Sequence, residues 1–117
     1  MTGEIKSTDF AYIAGIVDGG GHFDWVSTEK ESCTVPRLII ANNDKAMLEW
    51  IVRVVSPWVS HTYLYKQKKT LVSRHDYYHL TIQSRKNFKV LIPLLLPYLK
   101  IKYVIAKRIL DRILEDD

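Results

Sequence analysis

The stretch Thr8–Phe23, TDFAYIAGIVDGGGHF, limits what this chain can become more than any other. It opens as an apolar helix and closes on three consecutive glycines. Ala11, Gly15 and Gly19 fall at i, i+4 and i+8, which lines one helix face with almost no side chain. A glycine inside a helix costs about 1 kcal/mol relative to alanine, and close approach of another backbone is the usual compensation. Such a stripe lets two helices meet backbone to backbone, as small-xxx-small pairs do in membranes. On spacing alone, an ordinary buried helix with incidental glycines explains it equally well.

The rest of the chain alternates helix and strand signals. Ser7 or Thr8 is expected to cap the first helix, with Asp9 in its first turn. Phe23 and Trp25 then alternate with His22, Asp24, Val26 and Thr28, a strand with one aromatic and one largely polar face. Glu29–Ser32 reads as a turn. Val35–Ala41 reads as a second strand, with Pro36 near its start where an edge or bulge would tolerate it. Asn42, Asn43 and Asp44 break that strand and offer a cap for KAMLEWIVRVV, which Ser56 and Pro57 stop. Val59–Gln67 and Tyr77–Gln83 read as two further strands. Ser84–Leu96 reads as a helix bent and ended by Pro93 and Pro97, and Lys102–Leu114 as a last amphipathic helix. The pattern predicts an α+β domain, a duplicated helix-plus-hairpin plan around an antiparallel sheet, with residues 1–117 as one domain.

Charge narrows the partners. Seventeen Lys and Arg face thirteen Asp and Glu, a net charge of +4, and the bases cluster at 65–69, Arg74, 84–89 and 100–108. Interleaved with Tyr, His and Gln, they suit a nucleic-acid surface; solvated lysines on loop tips are the plainer alternative. The single Cys33 permits no internal disulfide and no cysteine metal site. With no apolar run near the ~20 residues of a membrane span and no signal-peptide pattern, the expectation is an intracellular, reducing compartment, cytoplasm or organelle matrix. Four histidines without ligand spacing do not suggest zinc.

IAGIVDGGG, residues 13–21, resembles the nine-letter signature of the LAGLIDADG homing endonucleases: the first six letters match in kind, and Gly21 matches the last. LLPYLKIKYVIAKRIL, residues 95–110, is similar to that family's C-terminal segment, and IIANNDKAMLEWI to the end of its second strand and start of its second helix. The resemblance implies an αββαββα(α) fold and, with one signature copy, a homodimer. Two signature helices would pack at a two-fold axis along Ala11, Ala14, Gly15 and Gly19, each chain giving half of a saddle over a long, pseudo-palindromic DNA duplex. The activity implied is Mg²⁺-dependent phosphodiester hydrolysis, in which another divalent cation can serve.

In the family the eighth letter supplies the metal-binding acid; here it is Gly20, which has no ligand atom. Asp18, two residues or about 200° of helix rotation away, is a weak substitute, and Asp24 a weaker one. The expectation is a cleavage-impaired member. Lys102 matches the basic residue near the active-site phosphate, where it would stabilise negative charge; a solvated linker lysine is its plain alternative. Asn42 matches a polar position in the water network and equally suits helix capping, with Lys45 weaker. DNA contacts are expected from His22, Asp24, Val26, Thr28 and Arg37, then His61, Tyr63, Tyr65, Gln67, Arg74, His75, Tyr77, His79, Thr81 and Gln83, with Lys66, Lys68 and Lys69 on phosphates. Which face of the second hairpin points inward stays open. Alternatives to the nuclease are a DNA-binding repressor and an intron-RNA maturase of the same fold.

Overall fold

The computed structural model describes residues 6–28, 31–68 and 76–116, with backbone alone at 28 and 31–33. Arg74, His75, Lys69 and the Thr28 side chain, all expected at DNA, therefore lie outside the described residues. In order come α1 (Ser7–Gly20), β1 (Gly21–Thr28), β2 (Glu31–Asn42), α2 (Lys45–Val55), β3 (Tyr63–Lys66), β4 (Tyr78–Gln83), α3 (Arg85–Leu95), a 3-10 turn (Leu96–Tyr98) and α4 (Tyr103–Asp116). The predicted α+β order is present. The strands form one antiparallel sheet in the order β1-β2-β4-β3.

Helical periodicity set one apolar face on each helix, and all four faces meet one side of the sheet. Phe10, Ile13, Ala14 and Val17 of α1 join Leu48 and Ile51 of α2, Phe88, Leu91 and Ile92 of α3, and Ala106, Ile109 and Ile113 of α4. Beneath them lie Phe23, Leu38, Ile40, Leu80 and Ile82. Ala14 is completely buried. It belongs to the core, which corrects its expected place on the dimer seam.

Local expectations failed where distant partners intervened. α1 starts at Ser7 behind Lys6, with no side-chain cap, so neither Ser7 nor Thr8 caps it. Of the expected turn, Glu31 and Ser32 belong to β2. Pro36 therefore sits mid-strand, in a strand paired on both sides. Its carbonyl accepts the Ser84 N–H at 3.2 Å, so its missing donor points where β4 has already ended and needs no partner. β3 is four residues, not nine. The Ser60 N–H donates to Asn87 Oδ1 (3.0 Å), and its carbonyl accepts from Asn87 Nδ2 (2.7 Å). With the Ser60 backbone bonds taken by a buried asparagine, and His61 at φ 57, the extended run starts only at Tyr63. Asp44 caps α2 as expected, accepting from Met47 N–H at 3.1 Å.

Candidate nucleic-acid interface

Directly paired residues of antiparallel strands share a face. Pairing therefore sets Asp24, Arg37 and Gln83 in one row, His22, Ile39, Thr81 and Tyr63 in a second, and Ala41, His79 and Tyr65 in a third. All lie on the face turned away from the core, with Val26 and Val35 beyond them. The open question of the second hairpin is thus resolved: Leu80 and Ile82 go inward, and Tyr63, Tyr65, His79 and Gln83 share the face of Arg37. Thr81 is on this face but 7% exposed, enclosed between Ile39 and Tyr63, so it is a floor residue rather than a contact. Val35, Ile39 and Ala41 join this face as well, as the period of two from Arg37 along β2 dictates.

Specific contacts organise the polar part. Asp24 grips Arg37 through both oxygens, Nε–H to Oδ1 at 2.9 Å and Nη2–H to Oδ2 at 2.6 Å. His22 Nε2 lies 3.5 Å from Oδ2. Arg37 bonding holds the Asp24 carboxyl below its usual range, against a smaller opposing effect of burial. Asp24 is thereby committed to Arg37. The His79 ring stacks on Tyr65 at 5.2 Å, and its Nε2 meets Gln67 Oε1 at 2.8 Å. Tyr63, Tyr65 and Tyr77 stand exposed. His61 is exposed ahead of β3; Lys66 pairs with Asp76 at 3.2 Å and Lys68 is exposed. Lys45 lies over the Tyr78 ring, 5.8 Å from its centroid, which gives it a packing role.

At the other candidate centre, the end of α1, the chain folds its C-terminal segment back onto Asp18. The N–H groups of Lys100 and Lys102 donate to Asp18 Oδ2 (2.8 Å) and Oδ1 (2.9 Å), and Lys102 Nζ donates to the Asp18 carbonyl (3.0 Å). The ammonium thus meets the negative end of the helix dipole. Burial pushes the Asp18 carboxyl up, but the N–H bonds and the Lys102 charge outweigh it, so its pKa is lowered. Asp18 serves as a structural clasp, both of its oxygens accepting backbone N–H groups. Asn42 Oδ1 accepts the Asp44 N–H at 2.8 Å, so Asn42 shapes the turn before α2, while the capping expected of it falls to Asp44. Gly20 is exposed, and a Cβ added there meets nothing within 4 Å. Among the described residues no three His, Cys, Asp or Glu side chains gather as a metal site. The residues present do not fit a divalent cation at the end of α1.

The clasp yields a stability prediction. Asp18→Asn keeps one acceptor and sets an amide N–H₂ against a backbone N–H. It is expected to cost about 1–3 kcal/mol and several degrees of Tm. Because the folded pKa is depressed, the stabilisation is complete above the unfolded value near ~4 and is lost as pH falls through the folded one. Melts of both proteins from pH 7 to 3 should therefore converge. A gap of constant size down to pH 3 would refute the ionised clasp.

No protein-family model matches the chain, and no curated protein matches it by sequence. Solved structures do. The homing endonuclease I-CvuI, in complex with its target in the presence of Ca, superposes with TM-score 0.72 at 21% identity over 93% of this chain and 68% of that one. I-CvuI with the I-CreI target, in Mg with the DNA not cleaved, gives 0.68 and 21% over 91% and 66%. The LAGLIDADG homing endonuclease I-GzeII, in complex with its DNA target, gives 0.62 and 17% over 97% of this chain and 38% of that one. At these identities the likeness establishes the fold: a LAGLIDADG-type α+β architecture.

Proposed function

We propose that the chain is half of a homodimeric, sequence-specific double-stranded DNA-binding protein on a homing-endonuclease scaffold, with metal-dependent cleavage impaired by Gly20. The observation that carries this is the asymmetry of the sheet. One face holds the core; the other presents Arg37, Gln83, His79, Tyr63 and Tyr65 in register. Arginine, glutamine and histidine supply hydrogen-bond groups for base edges, while Lys66 and Lys68 meet phosphates. The structures of like fold were solved in complex with DNA targets, which supports a DNA partner for this chain. Dimerisation rests on Gly15 and Gly19, exposed on α1 where an added Cβ meets nothing within 4 Å. The chain itself offers no reason for their smallness, and a second copy, approaching also along Ala11, supplies one.

The parent chemistry needs a carboxylate at the last turn of α1 to hold Mg²⁺. Gly20 removes it from both copies, and Lys102 remains on the helix end without it. Binding needs neither, so the scaffold can serve as a repressor or, on intron RNA, as a maturase.

Selection of bound duplexes from a random library tests the reading. The expected winner is roughly palindromic, bound tightly, and uncut after Mg²⁺ is added. Its affinity should fall steeply with salt, as counterion release requires. No enrichment of any duplex, or preference for structured RNA over every duplex, would defeat it.

A further inference from the structure

We infer that Arg37 reads a guanine in each half of the bound duplex and that Asp24 is the positioning residue that makes it do so. This rests on the reading of the sheet face as a DNA surface. Asp24 takes Nε–H and one N–H of Nη2, at 2.9 and 2.6 Å, which is the side edge of the guanidinium. Five N–H groups in a fixed fork leave three. Two of these, one on each terminal nitrogen, form the parallel pair at the far end. That pair matches the O6 and N7 acceptors of guanine in the major groove, whereas adenine offers a donor where O6 would be.

The surroundings favour readout over simple attraction. Asp24 cancels the Arg37 charge, so the pair adds little to phosphate attraction and contributes mainly a pattern of donors. Both side chains are about 30% exposed, 31% for Arg37 and 28% for Asp24, so the fork is anchored while its end still reaches solvent. Anchoring also removes conformations that a free arginine would lose on binding. His22, 3.5 Å from Asp24, buttresses the carboxylate from the strand edge, and Gln83 flanks Arg37 on β4.

The test uses the selected duplex and a set in which each symmetric base-pair position is replaced in turn, with Kd read by fluorescence anisotropy at fixed salt. The wild-type chain is expected to lose about 30-fold to 10⁴-fold when one particular guanine in each half-site becomes adenine, two contacts at about 5–100-fold apiece. Arg37→Lys loses the fixed parallel pair, so it should shrink that penalty and leave the penalties elsewhere. Arg37→Gln should move the preference at that position to adenine, which no loss of folding can imitate. Asp24→Asn frees the arginine for phosphates: the guanine penalty should shrink, non-cognate duplex should bind tighter, and the salt slope should steepen by about one per half-site. If the wild-type chain binds a duplex selectively but every penalty survives in Arg37→Lys and Arg37→Gln, the inference fails while the DNA reading stands. If it binds no duplex, both fail.

Discussion

Gly20→Asp is expected to turn a protein that binds its duplex without cutting it into one that cuts in Mg²⁺. The substitution places a carboxylate at the last residue of α1, exposed, in a space where an added Cβ has no neighbour within 4 Å. Its stability cost should be small. Aspartate is a better helix residue than glycine by a few tenths of a kcal/mol, while a negative charge at a helix C-terminus loses about 0.3–1 kcal/mol. The Lys102 ammonium, 3.0 Å from the Asp18 carbonyl, offsets part of that repulsion. Restored charge stabilisation should raise the rate on the order of 10³-fold or more, seen as double-strand breaks of the selected duplex on a gel. Should Gly20→Asp and Gly20→Glu both bind with wild-type affinity and leave the DNA intact, the nuclease ancestry gives way to the repressor.

Gly15→Leu is expected to produce a monomer by light scattering. Gly15 faces open space in the single chain, so leucine there disturbs nothing within the fold and gains helix propensity of about 1 kcal/mol. Its thermal stability as a monomer should therefore hold. Against a second α1, the same side chain blocks backbone contact. Losing the second half-site removes an effective concentration in the millimolar range, and DNA affinity should fall by about 10²–10⁴-fold. Ala14→Leu is the contrasting control. Buried at 0% exposure, it should overpack the core and cost about 1–3 kcal/mol with no specific effect on association. An unchanged dimer in Gly15→Leu would place the interface elsewhere.

Gly21 differs from the other three described glycines. A Cβ there would lie 3.0 Å from the Val17 Cα and carbonyl oxygen, so any other residue would have to push β1 a few tenths of an ångström away from α1. The signature's last letter is thus explained inside the chain, whereas Gly15 and Gly19 are not.

Legibility varied with the range of the forces involved. α2 was readable to the residue because an Asp44 cap, a helical apolar period and a Ser-Pro stop are all local. β3 was not, because the Asn87 side chain that takes the Ser60 backbone arrives from 27 residues away. Ala11 and Ala14 are equally small in sequence, and packing alone sent Ala14 to the core. Asp18 and Asp24 both looked available for a metal. One is held by the N–H groups of Lys100 and Lys102, and the other by Arg37 across two strands.

The sequence by itself determined the element order, the small face of the first helix and the absence of a carboxylate at Gly20, because periodicity and residue chemistry need no partner to be read. Only the tertiary structure decided which polar groups remain available and which are already committed. A hydrogen bond goes to whatever group the fold brings within about 3 Å, and in α1 and β1 those groups came from the far end of the chain and from the next strand.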